Sequence, residues 1–236
     1  MDVLKLMLKI FTILLLSLFI LSVYVNPLIN YLYHRENAYT EITERSMILN
    51  TLLMLIFLIL IPVLWLYSFN NLTPREIVHH LKLRKQNLGI SISLALLAFS
   101  LMMVVILIAG MLIKYYTGRV ENDVARSIAT KLSIPAIIFI GIVQSSGEEI
   151  FFRGFLIEKL SLKNNKHAGV LLSSLLFGLA HLSYGTPYQI ILPFIIGCIL
   201  GYTLLKSQNL ISVIIPHAMY NTLALLLMHY YFSIIL

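Results

Sequence analysis

The chain has 236 residues, 59% of them hydrophobic and only 11% charged, with a mean hydropathy of +0.91. That balance excludes an ordinary soluble domain and describes a chain whose exterior faces lipid. The formal charge of +7 does not indicate nucleic acid, because the basic residues cluster between apolar runs, where membrane topology accounts for them.

About 20 apolar residues are needed to cross a hydrocarbon core of about 30 Å, and seven such runs are found in chain order. The first is Leu4 to Val25. Lys5 and Lys9 ahead of it resemble the basic start of a secretory signal, but the run is too long and no small-x-small cleavage site follows. The second is Met47 to Phe69. After it, Thr73, Pro74 and Glu76 form an N-cap, N1 proline and N3 acid signature. Ile77, Leu81, Lys82, Arg84 and Lys85 follow, which predicts an interfacial helix with basic groups toward lipid headgroups. His79 and His80 read as solvated interface residues. The third run is Ile90 to Ile113, and Val120, Val124 and Ile128 beyond it recur at helical spacing, predicting a second interfacial helix. The remaining runs are Ile134 to about Leu160, Ala168 to about Tyr188, Tyr188 to Leu205, and Leu210 to Phe232.

The expected fold is therefore all-α: a polytopic transmembrane bundle of about seven to eight membrane helices with interfacial helices in the connectors. Residues 1–89 form an N-terminal transmembrane part with its connector, and residues 90–236 form the core. Cys198, the single cysteine, lies in an apolar run and reads as a small core residue, so no intramolecular disulfide staples the fold. Gly197 and Gly201, at small-xxx-small spacing, allow two helices to approach closely.

Lys and Arg set the orientation. With the N-terminus in the cytoplasm, ten basic residues fall inside: Lys5, Lys9, Arg75, Lys82, Arg84, Lys85, Lys159, Lys163, Lys166 and Lys206. Six fall outside: Arg35, Arg45, Lys114, Arg119, Arg126 and Lys131. The bias favours N-terminus in and C-terminus out, in what we expect to be a bacterial plasma membrane.

Ionisable groups inside such runs are expensive and mark function. Glu148, Glu149 and Arg153 lie in the fourth run. On a helix, positions i and i+4 share a face, so Glu149 pairs with Arg153 while Glu148 points about 100 degrees away and stays available. Phe177 and His181 repeat that spacing in the fifth run, and His217 and Asn221 in the seventh. His229 reads as a packing residue.

At about 1.5 Å per residue, Glu148 lies roughly 18 Å from the inner end of its helix, His181 roughly 20 Å and Asn221 roughly 16 Å, with His217 one turn closer to the cytoplasm. The motifs thus converge on one layer, with a mouth expected on the cytoplasmic side. Pro193 and Pro216 can free carbonyls and bend helices where a cavity opens.

A carboxylate, two histidines and an asparagine in a buried wet pocket suit amide hydrolysis. Glu148 with His181 can hold and deprotonate a water, while His217 and Asn221 donate to the oxyanion. The same Glu148, His181 and His217 could instead hold a zinc ion whose bound water attacks, although neither histidine belongs to an HExxH helix. A proton- or ion-coupled transporter would also bury acids and histidines, but the chain carries no internal repeat of the kind such folds use.

The run EEIFFR, then FGLAH, then HAMYN, on successive apolar segments, resembles the CPBP family of intramembrane proteases, the CAAX prenyl endopeptidase and bacteriocin-processing group also called Abi. The resemblance covers about Gly147 to Asn221. It implies an all-helical membrane endopeptidase with Glu148 as general base, His181 as its partner, and His217 and Asn221 completing the site, with Glu149 and Arg153 supporting the first acid. It leaves the cofactor open between zinc and none. The partners it implies are membrane lipid and a peptide or membrane-protein substrate, such as a bacteriocin, a pheromone or a leader peptide. A non-proteolytic scaffold or regulator of another membrane protein is the alternative.

Overall fold

The structure, a computed structural model, describes residues 3–33, 43–84, 88–117, 123–163 and 165–235. Nine helices account for them: α1 (Val3–Leu32), α2 (Glu44–Ser68), α3 (Pro74–His80), α4 (Leu88–Thr117), α5 (Asp123–Lys131), α6 (Ile134–Lys159), α7 (Lys166–Leu179), α8 (Tyr188–Ser207) and α9 (Ile211–Ile235). Seven stretches are long and apolar enough to cross a membrane, namely α1, α2, α4, α6, α8, α9 and Lys166–Tyr184, which is α7 with the turn that follows it, so the chain is an integral membrane protein built as an all-helical bundle.

Because the spanning helices alternate in direction, their ends fall on two faces. The N-terminal face carries the start of α1 and the end of α2. There Lys5 Nζ donates to Asn71 Oδ1 at 2.9 Å and Lys159 Nζ to Asn70 Oδ1 at 3.1 Å. The far face carries the end of α1 and the starts of α2 and α6, where the Ser133 N–H donates to Glu44 Oε2 at 2.6 Å.

Local chemistry explains the ends and the irregularities. Thr73 caps α3 as expected: its N–H and hydroxyl donate to Glu76 Oε2 at 2.8 and 2.7 Å. Those two bonds from Thr73 hold the Glu76 carboxyl below the usual carboxylate range. Lys82 and Arg84, beyond Leu81, are not helical, however. Lys82 adopts φ 58°, which stops the helix, and the Lys82 carbonyl then accepts from the Leu210 N–H at 2.9 Å. Lys85 and Val120 lie outside the described residues. His79 is exposed, whereas half-buried His80 lies with its Nε2 3.3 Å from Glu158 Oε1.

In α1, Pro27 has no N–H for the Val23 carbonyl and its ring crowds that oxygen. The helix widens into a π turn over Leu21–Val25, closed by the Asn26 N–H donating to the Leu21 carbonyl. A second π stretch, Glu149–Leu156, occupies the inner half of α6 and carries the acidic motif. Wide turns of this kind recur at functional sites.

Three apolar clusters hold the bundle. Phe151, Phe152 and Phe155 of α6 pack with Phe19, Leu58, Ile61 and Leu66 of α1 and α2, and with Ile77 and Leu81 at α3, which covers the N-terminal end of this cluster. A second cluster joins α4, α7, α8 and α9 around Met102, Val170, Leu200 and Val213. A third, with Ile128, Leu132 and Ile137, seats α5 on the start of α6. The expected close approach is present: a Cβ at Gly201 would lie 2.7 Å from Val170 Cγ1, and one at Gly197 2.9 Å from Ser174 Cβ. Side chains such as Leu14, Leu97, Leu107 and Ile142 point outward, where lipid would meet them.

Candidate active site

Helices α6 and α9 lie side by side, which brings four of the predicted residues into one buried cluster. Arg153 Nη1 donates to Glu149 Oε1 at 2.9 Å, and both side chains are almost wholly buried, at 1% and 0% exposure. The same Glu149 oxygen lies 2.7 Å from His217 Nδ1. A carboxylate only accepts, so Nδ1 carries the hydrogen, and the imidazole is oriented with Nε2 toward Glu148, whose Oε2 is 3.6 Å away. That spacing is too long for a hydrogen bond but close enough for charges to attract. The second oxygen of Glu148 accepts from Gln144 Nε2 at 2.9 Å.

Arg153 brings one positive charge to two carboxyls, and an uncompensated buried charge costs several kcal/mol, on the order of 3–5 when a pair is broken. The Arg153 guanidinium also lies over aromatic faces, 4.2 Å from the Phe177 centroid and 5.9 Å from that of Phe152. Phe177 therefore forms the wall that its spacing predicted, packing edge to face on His217 at 5.7 Å and on His181 at 4.9 Å.

The fifth span differs from a continuous helix. α7 ends at Leu179, and His181 lies in the turn that follows, ahead of a 3-10 turn over Leu182–Tyr184. Its Nδ1 is 2.8 Å from the Phe177 carbonyl. A carbonyl cannot donate, so Nδ1 carries the hydrogen, and Nε2 of the neutral ring is an acceptor.

Glu148 and His181 share one cavity of about 490 Å³, to which Gln144, Asn26, Asn30 and Asn50 also contribute. His217 is not part of its lining; it backs Glu148. Asn221 donates through Nδ2 to Ser145 Oγ at 2.9 Å, holding α9 to α6 one turn from His217. The expected oxyanion pair, His217 and Asn221, thus has its named donors already partly engaged. Gln144 and Ser145 were missed; the signal for both was a polar side chain one helical turn before Glu148 or Glu149 in an apolar run. Among the described residues, no three His, Cys, Asp or Glu side chains gather as a metal-binding group, so Glu148, His181 and His217 do not fit the zinc arrangement.

The cavity extends toward one face of the bundle. Its lining reaches Asn30 near the end of α1, Met47 near the start of α2, and Tyr184, all toward the far face. With the N-terminus in the cytoplasm, a cytoplasmic mouth was expected. The depth arithmetic placed the motifs in a layer but carried no information about which half of the bundle is packed with phenylalanines.

The family model described as type II CAAX prenyl endopeptidase, Rce1-like, matches residues 130–223, a stretch that contains Gln144, Glu148, His181, His217 and Asn221. No curated protein and no solved structure matches the chain.

Proposed function

From the premise that residues 130–223 carry the CPBP and CAAX-protease family's pattern, we propose that the chain is an intramembrane endopeptidase that hydrolyses a peptide bond in a membrane-associated peptide or protein. The observation that carries this reading is the environment of Glu148. It is a carboxylate inside a membrane span that faces a cavity, fixed through one oxygen by Gln144 and set against His217 through the other.

In this reading a water lies between Glu148 and His181. Glu148 takes its proton, and His181 Nε2 accepts from its second O–H, which aims the lone pair at the scissile carbonyl. His217 backs Glu148 with Nε2 toward that carboxylate, and to meet the negative charge that develops on the tetrahedral oxygen His217 and the remaining N–H of Asn221 must turn toward a cavity whose lining includes neither. Collapse then passes the proton that Glu148 took from the water to the departing amine. Glu149 and Arg153 do no bond-making. Glu149 fixes the His217 tautomer, and Arg153 pairs with Glu149 and holds it in place.

The test compares new peptide termini in membranes of cells expressing wild type or Glu148→Ala at equal levels. Termini that form only with wild type support the protease reading and identify its substrate. Identical termini, with both proteins inserted, would replace it with the scaffold reading.

A further inference from the structure

The two faces of the bundle are closed very differently. Toward the N-terminal face, the space below Glu148 is filled by Phe151, Phe152, Phe155, Ile61 and Leu66, each between 0% and 4% exposed, with Ile77 and Leu81 at α3 drawn over them. No polar side chain of the cavity lining lies on that side. Toward the far face the wall carries polar side chains among apolar ones such as Val23, Met47 and Ile128. Asn26 and Asn30, one turn apart on α1, line the cavity together with Asn50 of α2.

Asn26 lies about 9 Å below the end of α1, and Asn50 about 9 Å below the start of α2, by the rise of a helix. At 30 residues α1 is about 45 Å long against a hydrocarbon core of about 30 Å, so both amides fall close to the far boundary of the apolar runs Leu4 to Val25 and Met47 to Phe69. Both side chains are exposed and neither amide has a hydrogen-bond partner among the described residues; an amide left unpaired in lipid costs several kcal/mol, so this end of the cavity is one that water reaches. The early end of α7 at Leu179 contributes to the same opening. A full-length helix would have continued toward the far face, whereas here the chain turns at Leu182–Tyr184, beside the end of α1.

We infer that the chamber is loaded from the face opposite the N-terminus, which the distribution of Lys and Arg makes the extracytoplasmic face, and that what it takes is an unwound polypeptide segment presented from that side. Only the word substrate rests on the proteolytic reading; the direction of access does not. An unwound segment brings unpaired N–H and C=O groups, and each asparagine amide offers two donors and an acceptor to meet them. Such groups are blind to side-chain identity, so they select for an extended backbone. The substrate class is thus an exported peptide chain or the outer juxtamembrane stretch of a membrane protein, and a tail lying in the cytoplasm is outside it.

Site-directed thiol labelling of the full chain in intact cells tests this. In a Cys198→Ser background, Asn30→Cys and Asn50→Cys report on the chamber, with Asn26→Cys as a third reporter should either fail to accumulate. Tyr33→Cys and Asn70→Cys mark the far and N-terminal faces. A membrane-impermeant cationic thiol reagent is applied outside, and thiols that remain are counted after denaturation.

The expected result is loss of the thiols at positions 30, 50 and 33 before permeabilisation, and at position 70 only after it. Reaction at 30 and 50 only after permeabilisation, or in neither condition, overturns the inference. Labelling needs no turnover, so repeating it in Glu148→Gln separates the two readings. Outside access with unchanged peptide termini removes the protease and keeps the direction of entry, whereas wild-type-specific termini without outside access do the reverse.

Discussion

Replacing Arg153 by alanine should cost this protein more than any loss at the lipid surface. The guanidinium is 1% exposed, donates to Glu149 at 2.9 Å and lies 4.2 Å over the Phe177 ring. Its removal leaves Glu149 with only the His217 ring as a polar partner within contact distance and opens a void beside two aromatic rings. Breaking a buried ion pair from one side costs about 3–5 kcal/mol, which for a chain of this size corresponds to a fall in Tm of roughly 6–20 °C. Removing both charges should cost less than removing one. The double variant Arg153→Met, Glu149→Gln keeps most of the volume and leaves no orphan charge, so the cycle should show a coupling of about 1–3 kcal/mol. The assay is thermal unfolding of detergent-purified protein followed through Trp65, with membrane abundance as a second readout. An Arg153→Ala protein with wild-type Tm and abundance, or a double variant whose losses simply add, would refute the account of a buried, mutually dependent cluster.

Gln144→Leu removes the donor that fixes Glu148 Oε1 while filling a similar volume. A hydrogen bond to a charged group contributes about 1.5–3 kcal/mol, so kcat on an identified substrate should fall about ten-fold or more with KM nearly unchanged; a rise in KM alone would assign Gln144 to binding. Gly201→Ala places a methyl 2.7 Å from Val170 Cγ1 and should destabilise by about 1–3 kcal/mol, whereas Gly110→Ala, with nothing within 4 Å, should be neutral or gain up to about 1 kcal/mol. Equal effects at the two glycines in thermal unfolding would show that the contact of α8 with α7 is not tight.

Hydropathy alone located the seven spans, because the need to satisfy backbone groups in lipid leaves helices as the only solution for runs of that length. It placed the first helix short: α1 continues through Asn26 and Pro27 to Leu32, since a π turn absorbs a proline that the apolar pattern treats as an end. The pairing of Glu149 with Arg153 was legible because it is local, four residues along one helix. The contact of Glu149 with His217 was not, because it spans 68 positions in sequence and depends on how α9 is rotated against α6. The spacing of Phe177 and His181 suggested a helix face, yet the histidine lies beyond the helix end and keeps its position by donating to the Phe177 carbonyl. The second π stretch leaves no trace in the period of the apolar residues, since it changes which carbonyl each N–H meets and not which residues are apolar.

On the proposed reading, the reacting groups and the wall that faces them come from separate stretches of the chain. Glu148, His181, His217 and their supports all lie within residues 130–223, whereas Asn26, Asn30 and Asn50 belong to α1 and α2. Chemistry and admission are therefore divisible. Exchanging the first two helices for those of another sequence, with the α2 residues that meet Phe151 and Phe155 retained, would graft a new selectivity onto an unchanged reaction centre, much as a tool accepts a different jig.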